Sequence, residues 1–364
     1  MRILTKWFIT VVFFSLGVVC LGGNVVVINP SDLVDESQSS ESINQEREFN
    51  AVEVIMEHIS DSNEWHLFTY GGHHYSIPLP VIIIEDMSLK IFMSSRVSHG
   101  EDYEGYTMSK GRIVSTNNLQ RASVLDVFTG LSGKFIDISI SKNVLSIFIS
   151  IAIMFMIFFS ALKSYKVGIE STPRGVAKLV EPIIVFVRDQ IAIPNMGEKN
   201  AYVFLPFLLT VFFFIWINNL LGLIPIFPGG ANVTGNISVT MSLALITSII
   251  INFNGKKAYW KHVFSPPGVP FWLLPIMIPV EILGIFIKPF ALMMRLFANI
   301  TAGHIMILSL ISLVIIFKTL LVAPASVFLV LFISMLELLV AALQAYIFTV
   351  LSALFIGMAV DDGH

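Results

Sequence analysis

Residues 271–317 read FWLLPIMIPVEILGIFIKPFALMMRLFANITAGHIMILSLISLVIIF, an apolar run in which Glu281, Lys288 and Arg295 are the charged side chains. A second apolar run, roughly 322–359, carries Glu337. A bilayer is crossed by about 20 helical residues, so both runs are tilted, bent or broken helices. The whole chain agrees. Of its 364 residues 55% are hydrophobic and 13% charged, with a mean hydropathy of +0.81. Soluble domains carry about 25% charged residues. That excludes a disordered chain and argues against a soluble domain. One cysteine, Cys20, excludes a disulfide framework and a Cys-based zinc site. A net charge of −3 gives no basic field for nucleic acid. The fold class is an all-α polytopic membrane protein with about five transmembrane segments.

Working outward from these runs, the earlier spans are Val144–Leu162, Tyr202–Leu223 and Ile237–Phe253. Between the first two, residues 173–192 place Val176, Leu179, Val180, Ile183, Ile184 and Val187 at helical spacing, with Arg174, Lys178, Glu181 and Arg188 polar. That pattern predicts an amphipathic helix at the membrane surface. Residues 24–141 hold 17 Asp/Glu against 7 Lys/Arg, so 24–140 is an acidic aqueous segment. Within it 31–50 reads as a Ser/Glu/Gln/Asn linker, 51–60 as a short helix, and 64–139 as short β-prone runs between turns. Residues 1–23, a short basic start and an apolar run from Trp7 to Leu21, read as a signal peptide, with a retained anchor helix as the alternative. Cys20 follows Val19, a poor context for lipid attachment. The chain divides into 1–23, the external segment 24–140 and the membrane domain 141–364.

Lys and Arg collect in cytoplasmic loops. The connections 163–199 and 254–262 carry nine, and 228–236 carries none. The acidic segment therefore faces outward, the spans alternate, and the C-terminus Asp361-Asp362-Gly363-His364 lies inside.

Ionisable groups within the bilayer mark functional sites. Glu281, Lys288 and Arg295 are spaced by seven and share one helix stripe; Asn299, four beyond Arg295, joins it. Glu337 and Gln344 are again seven apart. If the two long runs pair antiparallel about the turn near 320, facing residues have a constant index sum. That sum is 639 for Arg295 with Gln344 and 641 for His304 with Glu337. Each pair therefore sits at one depth, the His–Glu pair nearer the outside. Blander readings exist: Lys288 snorkelling to the interface or pairing with Glu281, and Gln344 as packing glue. Arg295 resists one, because it has no acid within ten positions and arginine does not deprotonate. Its natural anion lies on another chain. In the external segment His58, His66, His73 and His74 show no metal spacing.

The stretch Arg295-Leu-Phe-Ala-Asn299-Ile-Thr-Ala-Gly303-His304 resembles the signature of subunit a of F-type ATP synthases. Leu343-Gln344-Ala345-Tyr346-Ile347-Phe348, Asn218-Asn219-Leu220-Leu221-Gly222-Leu223-Ile224-Pro225 and Gly235-Asn236-Ile237-Ser238-Val239-Thr240 are similar to its other recurring stretches. The resemblance covers about 140–360 and implies a proton-conducting stator subunit of the Fo sector, non-catalytic on its own and without a cofactor. It implies a c-subunit ring, a b-subunit peripheral stalk and, indirectly, the F1 sector as partners, in a bacterial inner membrane. Arg295 would face the ring carboxylate. Asn299, His304, Glu337 and Gln344 would line the outward half-channel, with Glu281, and less directly Lys288, in the inward one. Many bacterial members have an acid in place of His304 and a histidine in place of Glu337; here the couple is reversed, as in mitochondrial members. The external segment is longer than the family's usual N-terminus. The competing class is an ion-coupled secondary transporter or channel, for which an inverted repeat is not evident in the sequence.

The charge asymmetry generates a topology prediction. Protease added to intact spheroplasts cuts within 24–140 and spares 163–199. Protection of both segments contradicts the orientation.

Overall fold

The computed structural model describes residues 10–11, 14, 17–18, 55, 59–70, 73–85, 88–97, 101–109, 111–116, 120–121, 134–165, 175–224, 228–266, 269–317 and 323–361. Cys20, the 31–50 stretch, His58, Pro173, Lys318 and the last three residues, on which some sequence readings fall, lie outside them.

The membrane part is helical. It comprises α1 (Lys142–Tyr165), α2 (Val176–Phe186), α3 (Ile193–Leu223), α4 (Ile237–Phe253), α5 (Lys257–Phe264), α6 (Leu274–Phe317) and α7 (Ala323–Val360). Among the described residues four helical stretches are long and apolar enough to cross a bilayer, and a fifth if α4 and α5, bent by 103°, count as one. The protein is thus a multi-pass membrane protein. The amphipathic α2 is the helix that the apolar spacing within 173–192 predicts, over Val176–Phe186. A wide π-helical turn, Val187–Ala192, joins it to α3, and the run breaks only at Gly197 (φ 72, ψ 159). Ala177, Val180 and Val187 are buried, whereas Val176 and Leu179 of the expected stripe are exposed. α6 and α7 have 44 and 38 residues, about 66 and 57 Å at 1.5 Å per residue.

α3 is the pillar. From Leu205 to Ile215 every side chain is buried, because this stretch, apolar apart from Thr210, packs against α1, α7 and Phe14 of the N-terminal run. α7 approaches it through small residues, Ala341, Ala345, Ala353 and Gly357, the packing that membrane helices use when no hydrophobic force drives them together. A Cβ at Gly357 would lie 2.0 Å from the carbonyl oxygen of Asn195. The loop 228–236 folds back on α3: Gly230 N–H donates to the Leu221 carbonyl (3.1 Å), and the Asn236 side chain caps α4 by accepting from Ser238 N–H (2.9 Å). At the other end Lys256 N–H donates to the Ala359 carbonyl (2.9 Å) and ties the α4–α5 turn to α7. Of the N-terminal run, Val11, Phe14 and Val18 are buried, and Phe14 meets the rings of Phe207 and Phe214 at 6.0 and 5.7 Å.

The segment before α1 has β structure. A hairpin pairs β1 (Glu64–Tyr70) with β2 (His73–Pro78). A four-stranded sheet has the order β4 (Ser88–Met93), β3 (Pro80–Glu85), β8 (Lys134–Asp137), β7 (Gln120–Arg121), with the last pair parallel. A second hairpin joins β5 (Tyr106–Ser109) to β6 (Arg112–Ser115). Alternation in β3 turns Val81 and Ile83 inward to Phe92, Val97, Tyr106, Ile113 and Phe135.

This β segment caps the first membrane helix. Opening N–H groups of a helix have no partner of their own. Lys142 N–H donates to the Ser62 carbonyl (2.9 Å), Asn143 N–H to Asp61 Oδ1 (3.2 Å) and Val144 N–H to Ser141 Oγ (3.4 Å). Ser141 Oγ–H donates to Asp61 Oδ2 (2.7 Å). Burial pushes the Asp61 carboxyl above its usual range, against the opposite pull of the bonds from Ser141 and Asn143 and of nearby Lys142 and Arg112.

A raised carboxyl pKa means that folding favours the neutral form. The group costs nothing at acid pH and costs stability as pH rises from the unfolded value through the folded one. Asp61→Asn, neutral but still an acceptor, is therefore expected to match or exceed the parent in heat stability at neutral pH. Asp61→Ala loses the cap and about 0.5–2 kcal/mol. Aggregation midpoints of the full chain in mild detergent check this, and equal losses in both variants contradict it.

Candidate functional site

The seven candidate side chains separate into three places along α6 and α7. Arg295 and Asn299 lie on the outward-turned side of α6 and are exposed. Phe286, Ile287, Phe290 and Met294 are exposed on the same helix, as are Leu336, Leu339 and Leu343 on α7. Arg295 makes no hydrogen bond or ion pair with the described residues, and neither does Asn299. A permanent cation therefore stands on a broad apolar face. Such a face on a membrane helix pair meets lipid or another protein.

The second place is buried between α3, α6 and α7. Nδ1 of His304 is 3.5 Å from Oε1 of Glu337, so the antiparallel register that puts these residues at one depth also brings them into contact. Nδ1 also faces the Ile300 carbonyl (3.1 Å) and Nε2 the Gly222 carbonyl (3.3 Å). Carbonyl oxygens only accept; a neutral ring donates to one of them and an imidazolium to both. Neither oxygen of the Glu337 carboxyl has a hydrogen bond among the described residues, although both are fully buried. A buried carboxylate without donors is costly, and the imidazole is its nearest charge partner. Gln344 is buried on the same helix and makes no hydrogen bond to Arg295, its partner in the index sum.

Gly303 makes room for this couple. A Cβ there would lie 2.1 Å from Oε1 of Glu337. Behind it, Asn219 of α3 donates from Nδ2 to the Ala341 carbonyl (3.1 Å) and accepts from Thr234 Oγ1 (2.6 Å). Thr301 Oγ1 donates to the Gly235 carbonyl (3.4 Å). Thus the uncharged loop 228–236 holds α3, α6 and α7 in register around the His–Glu couple.

The third place is the opposite end of α6. Oε2 of Glu281 lies 4.0 Å from Nδ1 of His262 on α5. Lys288 does not pair with Glu281. Its ammonium sits 5.4 Å from the centroid of the Phe355 ring on α7, a cation–π contact that satisfies a cation where carboxylates are scarce.

Sequence reasoning did not single out Asn219, Thr234, Gly303 or His262 as site residues. Asn218-Asn219 within an apolar span was the available signal for the first, since intramembrane amides bond across helices. His262 becomes a partner of Glu281 only through the bend between α4 and α5. Among the described residues no cluster of His, Cys, Asp or Glu has a metal-holding arrangement.

Residues 144–357 match the family model described as ATP synthase A chain. Residues 54–137, the β segment, match a second model described as a domain of unknown function. The chain is 47% identical over 240 residues to ATP synthase subunit a of Chloroherpeton thalassium, covering 63% of this chain and 70% of that one. It is 44% identical over 241 residues to ATP synthase subunit a of Myxococcus xanthus (65% and 77%). With ATP synthase subunit a 2 of Chlorobaculum tepidum it shares 47% over 240 residues (63% and 66%).

Two glycines of α6 give opposite expectations. Nothing lies within 4 Å of a Cβ added at Gly284, so Gly284→Ala stabilises by up to about 1 kcal/mol through helix propensity. Gly303→Ala drives into the Glu337 carboxylate and costs about 1–3 kcal/mol. The shorter acid in Gly303→Ala/Glu337→Asp recovers part of that loss. Aggregation midpoints of the purified chain in detergent report both signs; equal shifts at the two glycines refute the assigned contact.

Proposed function

The chain belongs to the family of ATP synthase subunit a, the proton-translocating membrane subunit of the Fo sector, and from that premise we propose that Arg295 is the fixed cation between two proton half-channels. The observation that carries this reading is the position of Arg295: exposed on an apolar face, without an anion among the described residues. A membrane surface that presents a permanent cation requires an anion from a partner. A ring of c subunits with a mid-membrane carboxylate supplies one, and the length of the apolar α6–α7 face suits such a ring.

The physics of the cycle follows. A ring carboxylate that enters lipid must be neutral, because an unpaired charge there is expensive. Opposite Arg295 it ionises, since a nearby cation favours the charged form. The outward half-channel loads protons through His304, Glu337 and Gln344, with Asn299 at the ring face. The inward one unloads them past Glu281, which His262 neighbours. Arg295 blocks direct leakage between them. Each proton that crosses releases about 2.3 kcal/mol per 100 mV of membrane potential, which ring rotation carries to the F1 sector. The b-subunit stalk holds this subunit still. The chain makes and breaks no covalent bond itself.

In this reading residues 24–140 lie outside the bacterial inner membrane and the C-terminus inside, and 141–364 form the conducting domain. The packing of Val11, Phe14 and Val18 against the membrane core favours the retained anchor over a cleaved signal for residues 1–23.

Arg295→Ala is expected to abolish proton-driven ATP synthesis in membrane vesicles while the protein remains inserted. Arg295→Lys also fails, because a desolvated lysine sheds its proton and lacks the planar fork of donors. Near-normal synthesis by Arg295→Ala would sink the assignment.

A further inference from the structure

The seam between α1 and α3 is polar at one end and apolar at the other. On α1, Asn143, Ser146 and Ser150 fall on one helix face and are 3%, 0% and 1% exposed. Facing them on α3, Asn218 is 1% exposed; its Nδ2 donates to Ser150 Oγ (3.0 Å) and to the Phe214 carbonyl (2.8 Å). Three buried atoms here have no partner among the described residues: Oδ1 of Asn143, Oγ of Ser146 and Oδ1 of Asn218. An unpaired buried polar atom is destabilising, and three of them lie along this one seam. Polar seams of this kind hold water, which supplies the missing bonds.

Beyond Ser150 the same face of α1 turns to Met154, Phe158 and Ala161, all buried. Phe158 closes edge-on against Phe213 at 5.0 Å. The polar part therefore begins at the first turn of α1 and stops partway across. At its open end stands Asp61 of the β segment, bonded to Ser141 Oγ and Asn143 N–H. At its closed end Asn218 is followed by Asn219, and one turn back toward the outer end of α3 stands Gly222, whose carbonyl faces His304.

We propose that this seam is the mouth of the outward half-channel, a hydrated proton path from the Asp61 carboxylate over Asn143, Ser146 and Ser150 to Asn218, from which the Asn219–Gly222 turn leads to His304 and Glu337. The proposal rests on the proton-conducting reading above and gives the β segment a part in it. Asp61 takes a proton from outside water and passes it to water in the seam, so no other reactant is consumed. A carboxyl held above its usual range by burial, with Lys142 and Arg112 as the opposing charges, is suited to take and release protons in turn. The halfway seal by Phe158 and Phe213 keeps the path from becoming a leak.

The test uses the assembled complex in vesicles, with ATP synthesis measured at fixed potential while the pH on the outer side varies. Asp61→Asn keeps the cap and assembly, yet is expected to lower synthesis severalfold and flatten its dependence on outer pH. Asp61→Glu restores both. Ser146→Cys, in a Cys20→Ser background with the parent complex as control, is expected to be blocked by silver ion added outside, whereas Phe158→Cys is not. An unchanged outer-pH profile in Asp61→Asn, or indifference of Ser146→Cys to silver, overturns the proposal. Arg295→Ala, run alongside, separates the two levels. If it abolishes synthesis while those variants behave like the parent, the seam alone is refuted. If it retains synthesis, the reading beneath is refuted.

Discussion

A guanidinium does not lose its proton inside a membrane, and Arg295 has no anion among the described residues of its own chain. Much of the architecture follows from tolerating that charge. The helix that bears it must be long, so that it spans the bilayer with the cation near the middle. It must also turn that cation away from the packed core, because a buried unpaired charge would oppose folding. α6 does both: its buried contacts are Leu292, Met293, Leu296 and Ile300, while Arg295 and Asn299 lie on the exposed side. In the function proposed above, the exposed apolar rows of α6 and α7 are the surface that meets partners in the Fo membrane sector.

The polar groups that remain inside are held by a few cross-helix bonds. Asn219 joins α3 to α7 and to the 228–236 loop, and Asn218 joins α3 to α1. In lipid each buried amide that found no partner would cost stability, so these bonds also set how the helices rotate about their axes. The rotation of α7 brings Glu337 to His304 rather than to the exposed face. Gly303 makes that approach sterically feasible.

The β segment adds a constraint from outside. It supplies partners to the opening N–H groups of α1 through Ser62 and Asp61, so the first span and the β segment are fixed to each other. This coupling is local and hydrogen-bonded, unlike the small-residue packing that joins α3 and α7.

The apolar runs and their lengths by themselves determined the helical membrane fold, because hydrocarbon admits no unsatisfied backbone. Heptad spacing placed Glu281, Lys288 and Arg295 on one stripe, and the index sums put His304 level with Glu337, because an antiparallel helix pair has a fixed rise per residue. The signature stretches indicated the family. Periodicity alone did not show which side of each helix faces a neighbour. The i, i+4 spacing put Asn299 on the stripe of Arg295, as the folded chain does, but only the folded chain shows that this stripe is the exposed one. The amphipathic spacing of α2 likewise gave no sign of the π-helical turn that carries it into α3. Partners brought in by chain reversal were equally hidden: His262 beside Glu281, Phe355 under Lys288, and Asp61 at the head of α1 are 19, 67 and 81 positions away in sequence. Contacts at such separation depend on how the helices stack and bend, and only the tertiary structure decides that.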